Sequence, residues 1–76
     1  MNKIRRKRLS EIVEQLELLN AELEEVRNEE EESYDNLPES IQGSEAADRM
    51  QENIDTLQSA FDSIEEAING INEAKE

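Results

Sequence analysis

The sequence predicts an all-α fold: an antiparallel two-helix hairpin built as a coiled coil. Three observations carry this reading. Two long segments repeat apolar residues at alternating spacings of three and four, which keeps one seam of a helix facing a partner helix. The only proline, Pro38, and one of two glycines, Gly43, sit together in the middle of the chain, where they punctuate a single break. No stretch alternates with period two, so no strand is expected.

The first helix is expected over residues 3–35. Its seam reads Leu9, Ile12, Leu16, Leu19, Leu23 and Val26. Ile4, Val13 and Leu18 fall outside that seam and are the further candidates for contact. The connection covers residues 36–44. Pro38 suits the first position of a short helical turn through Ser40 to Gln42, and it biases Leu37 away from helix. Leu37 and Ile41 are apolar in a polar connection, and are expected to fold back over the end of the helix pair beside Tyr34. Gly43 permits the positive φ that redirects the chain. Ser44 can cap the second helix, with Glu45 and Asp48 placed where the macrodipole favours acids.

The second helix is expected over residues 45–74. Its seam is Ala47, Met50, Ile54, Leu57, Phe61, Ile64, Ile68 and Ile71. An antiparallel register sets Leu9 level with Ile71, Ile12 with Ile68 and Leu16 with Ile64. Leu19 then meets Phe61, Leu23 meets Leu57, and Val26 meets Ile54. In this register Leu19→Asp and Phe61→Asp are each expected to unfold the chain, because each buries an unpaired charge. The whole of residues 1–76 is thus one unit.

Composition limits what such a hairpin can do. Its 76 residues hold 21 acids and 8 bases, a formal charge of -13, with no His and no Cys. The commonest general base and metal ligand is missing, as are thiolate chemistry and disulfides. Tyr34 and the scattered serines have no base beside them, and no Ca²⁺-loop spacing of acids and Gly occurs. The sequence therefore points away from an enzyme and implies no cofactor and no metal. It holds no apolar run of the roughly 20 residues that span a bilayer, and no signal-peptide pattern.

The charge is segregated along the chain. Lys3, Arg5, Arg6, Lys7 and Arg8 stand together without an acid. All 21 acids and only Arg27, Arg49 and Lys75 follow. Antiparallel folding is expected to bring the basic end beside Glu65, Glu66, Glu73 and Glu76 and neutralise part of the second helix. Direct nucleic-acid binding is disfavoured, since the long acidic body would be repelled by a polyanion.

The acids form rows. Glu17, Glu24 and Glu31 share one heptad position, and Glu25 and Glu32 another. On the second helix Asp48, Asp55 and Asp62 recur every seven residues, flanked by Glu52 and Glu66. A solvated outer face is the plain explanation. The sharper one is a partner-binding surface that imitates nucleic-acid phosphates and occupies a basic groove. A second candidate surface is the small-residue row Ala46, Ala60, Ala67 and Ala74, which permits close approach of another helix; alanine's helix propensity explains it equally well. One seam covers its side chains only partly, so another copy, as in a dimeric four-helix bundle, or another protein is expected to cover more.

The central segment Tyr34-Asp35-Asn36-Leu37-Pro38-Glu39-Ser40-Ile41-Gln42-Gly43-Ser44-Glu45, followed by Ile64-Glu65-Glu66-Ala67-Ile68, resembles small acidic helical-hairpin accessory proteins of phages and mobile elements of Gram-positive bacteria. That resemblance implies an accessory gene product acting in the cytoplasm of a bacterial host cell. By analogy of class it suggests an anti-defence protein, with no functional residues to carry over. The expected function is a non-enzymatic protein-binding module that inhibits a host defence protein through its acidic surface. The alternatives are a structural self-assembling coiled coil and an antitoxin-like neutraliser of a basic toxin.

Overall fold

Helix α1 runs Lys3–Asp35 and helix α2 runs Glu45–Ala74, with no strand, in a computed structural model that describes residues 1–76. The two helices pack against each other as an all-α hairpin. The molecule is a rod of 60 × 15 × 12 Å with a radius of gyration of 17.4 Å. A compact domain of this length would have a radius of about 11 Å, so nearly every residue touches water. No helix is long and apolar enough to cross a membrane.

The ends of the helices are set by local chemistry. Asn2 caps α1: its side-chain oxygen accepts the Arg5 N–H at 2.8 Å. Asn is a strong capping residue. Ser44 caps α2 as expected, accepting from the Ala47 N–H at 3.2 Å. In the connection, the Pro38 carbonyl accepts from the N–H groups of Ile41 and Gln42 at 2.9 and 3.2 Å. That is the helical turn expected to begin at proline. Gly43 follows at φ +86, the left-handed conformation that turns the chain into α2. Leu37 and Tyr34 are half-buried, but Ile41 stays exposed, so the expected apolar cover over this end is only partial.

Helix α2 presents the expected seam. Ala47, Ile54 and Ile68 are buried, and Met50, Leu57, Phe61, Ile64 and Ile71 are half-buried. Helix α1 does not. Leu9, Leu16 and Leu23 face inward as expected, but the other half of the seam is Val13, Asn20, Arg27 and Tyr34. Ile12, Leu19 and Val26 are 44%, 61% and 48% exposed. The helix is thus rotated about its axis by roughly half the angle that separates neighbouring heptad rows on either side of the seam. Both rows flank the same leucine row, Leu9, Leu16 and Leu23, so a 3,4 spacing exists in either direction. The spacing alone could not choose between them.

Polar contacts belong to the arrangement that formed. The Asn20 Nδ2 donates to the Phe61 carbonyl at 3.2 Å, so Asn20 rather than Leu19 meets Phe61. At the open end, Lys75 Nζ donates to Ser10 Oγ at 3.1 Å. The expected register sets Ser10 level with Gly70, and the lysine stem, leaning toward the helix N-terminus, spans most of the offset. Arg27 pairs with Glu31 one turn along its own helix. An asparagine in a coiled-coil seam fixes register at a cost in stability. Here the cost is visible, because Asn20 Oδ1 and Arg27 Nε are buried without a hydrogen-bond partner.

Candidate interaction surfaces

The two long sides of the hairpin differ in chemistry. One carries an open groove of about 410 Å³ whose lining includes Glu17, Asn20, Glu24, Glu65, Asn69 and Asn72, with Phe61 and Ile68 at its base. On this side α1 contributes the positions next to Asn20, and α2 those next to Phe61. The opposite side follows from helical geometry. Ile12, Leu19 and Val26 lie about 50° from the leucine row, away from Asn20. On α2, Ala46, Ala60, Ala67 and Ala74 lie about 50° from the row Met50, Leu57, Ile64 and Ile71, again away from Phe61. The exposed apolar row of α1 and the exposed alanine row of α2 therefore border the same side. Leu18, 74% exposed, lies farther round α1.

The acidic rows are placed as a distributed charge. Glu17, Glu24, Glu25, Glu32, Asp48, Glu52, Asp55, Asp62 and Glu66 are all exposed, and Glu31 is half-buried beside Arg27. Only Glu17 and Glu24 come together at one feature, the polar groove, where they are joined by Glu65, Asn69 and Asn72. Asn69 and Asn72 were not singled out from sequence, and Glu65 was expected beside the basic end and not beside Glu17 and Glu24. Glu65 and Asn72 fall at the heptad position beside the α2 seam, and Asn69 lies one row farther out. No three carboxylates converge as a metal-ligand set. The remaining acids wrap around both helices.

The basic end does not do what the charge pattern led one to expect. Lys3, Arg5, Arg6, Lys7 and Arg8 form no ion pair with α2. The molecule has two ion pairs, one within each helix: Arg27 with Glu31 in α1, and Arg49 with Glu45 in α2 at 3.9 Å. Two helices of nearly equal length splay their long basic side chains outward instead, and Arg5 and Arg8 line a shallow hollow with Met1, Leu9 and Ile12. The block therefore lies at one end of the exposed apolar row with its charge uncompensated. Comparison with protein-family models, curated proteins and solved structures gives no match to this chain.

Proposed function

We propose that the chain is a non-enzymatic protein-binding module that docks through the apolar side of α1. The observation that supports this is the exposure of Ile12, Leu19 and Val26 while Asn20 and Arg27 occupy the seam. A helix that packs against one neighbour needs only a narrow stripe, whereas one contacting two neighbours carries a wider apolar arc. Helix α1 has the wider arc: the row Ile12, Leu19 and Val26, the leucine row, and Val13 with Tyr34. An amphipathic helix with side chains at heptad intervals is a common recognition element. A photo-reactive leucine analogue at position 19, with one at the exposed Ser63 position as control, tests the reading in the producing cell. Protein adducts should form from position 19 in excess over position 63. Equal or absent labelling would overturn it.

A second reading is favoured by the acids that no cation pairs. Of the ten carboxylates in the sequence-derived acidic surface, Glu31 alone is paired, and the rest line a 60 Å rod. Such a rod could enter a basic groove in place of nucleic-acid phosphates and so inhibit a host defence protein in the bacterial cytoplasm, as the phage-protein resemblance suggests. Changing Asp48, Asp55, Asp62, Glu52 and Glu66 to their amides leaves the seam untouched. Inhibition that survives this change excludes charge mimicry by α2.

A further inference from the structure

We infer that the apolar side of α1 is covered by a second copy of this chain, with the two α1 helices antiparallel about a two-fold axis at Leu19. This inference rests on the reading of that side as a docking face and names its occupant. Its first support is symmetry. Leu19 is the middle residue of α1, which runs Lys3–Asp35. Ile12 and Val26 stand one heptad to either side of it. A two-fold axis at Leu19 therefore sets Leu19 against Leu19 of the second copy and Ile12 against its Val26, so the exposed row is complementary to itself. Such isologous pairing is the commonest form of protein self-association.

The second support is charge, which is independent of the apolar row. The same axis brings the basic block level with the acidic stretch Glu29 to Asp35 of the second copy, with Arg8 on the edge of the contact. In the single hairpin the basic block has no ion pair, and Glu29, Glu30, Glu32 and Asp35 have none either. The residues that border the apolar row on its outer edge obey the same symmetry. They are Arg8, Gln15, Glu22 and Glu29, and the antiparallel arrangement places Arg8 beside Glu29 and Gln15 beside Glu22. A parallel arrangement would set this row against the leucine row of the second copy instead, and Arg8 and Glu29 would have no counter-charge across the contact. The basic block that opposes the dipole of its own helix thus gains its complement from a neighbour.

The third support is the seam itself. Asn20 leaves Oδ1 without a partner and Arg27 leaves Nε without one, while Leu19 and Val26 face water. An isolated hairpin would gain apolar burial by turning α1 to put Leu19 and Val26 inside. The observed rotation is the one expected where those side chains are buried by something else.

Sedimentation of the purified full chain provides the test. The chain should sediment as a dimer at micromolar concentrations, with affinity falling as salt rises. Leu19→Lys, which places two cations on the axis, should lower self-association by at least about tenfold. Because that variant could also affect folding, charge reversal supplies a second arm on exposed side chains. One variant carries Lys3, Arg5, Arg6, Lys7 and Arg8 all changed to Glu; the other carries Glu29, Glu30, Glu32 and Asp35 all changed to Lys. Each alone should associate more weakly than the parent, and an equimolar mixture should restore a mixed dimer. A parent chain that stays monomeric, or reversals that weaken alone but fail to recover on mixing, would overturn the inference. If the parent is monomeric while position 19 still labels another protein in the cell, the docking face stands and its occupant is not a second copy. If neither occurs, both fall together.

Discussion

Helices α1 and α2 are of nearly equal length and share one seam, yet only α2 follows its apolar pattern. In α2 every residue of the expected seam is buried or half-buried. In α1 the leucine row turns inward but Ile12, Leu19 and Val26 turn out, and Asn20 and Arg27 replace two of them. The difference lies in how many apolar rows each helix carries. Helix α2 has one pair of adjacent apolar rows, bordered by the alanine row on one side and by Gln51, Gln58, Glu65 and Asn72 on the other, so a single orientation buries them. Helix α1 has apolar residues on both sides of its leucines, and one partner helix cannot cover both. The extra row is left facing water.

That contrast can be broken most forcefully by charge. Ile54→Asp puts an unpaired carboxylate in the buried half of the α2 seam and should cost more than about 3 kcal/mol. That is a large share of a small domain's stability, so the circular dichroism of the helix should collapse. Leu19→Asp on α1 should keep most of its helicity at the same concentration. This reverses the outcome expected from the 3,4 pattern alone, and an equal collapse in both variants would mean that Leu19 lies in the seam. Asn20→Leu sharpens the comparison from the other direction. It removes a buried unpaired oxygen, so it should raise the thermal midpoint by an amount equivalent to about 1–3 kcal/mol. It also removes the one side chain that ties α1 to the Phe61 carbonyl, so distances between spin labels on the two helices should broaden.

Smaller effects separate the connection from the helices it joins. Gly43→Ala should destabilise by about 1–2 kcal/mol in urea titrations. Nothing lies within 4 Å of the added methyl, so the cost comes from φ +86 and not from a clash. Gly70→Ala is the opposite case: it lies inside α2 with open space around it. There the change should stabilise by about 0.5–1 kcal/mol, because alanine loses less freedom in a helix. A Gly70→Ala variant less stable than the parent would indicate that a neighbour approaches that surface.

Much of the hairpin was legible in the sequence because it depends on local chemistry. The limits of both helices, the proline-led turn, the positive φ at Gly43 and the Ser44 cap all follow from residues acting on their own backbone. The α2 seam was legible as well, since its apolar rows admit one reading. The side chains around the polar groove were less so: Glu65, Asn69 and Asn72 become neighbours of Glu17 and Glu24 only through the crossing of two helices. The ion pairs expected across the open end did not form, because level charges on flexible stems gain little by meeting in water.

The sequence by itself determined that this chain makes two helices, where they start and stop, and that they fold back on each other. Only the tertiary structure decided which side of α1 faces α2. Helix periodicity specifies a stripe but not its centre when two stripes share a row of leucines. The choice then rests on contacts between helices, such as Asn20 on the Phe61 carbonyl. Those contacts bury the polar row and leave Ile12, Leu19 and Val26 exposed.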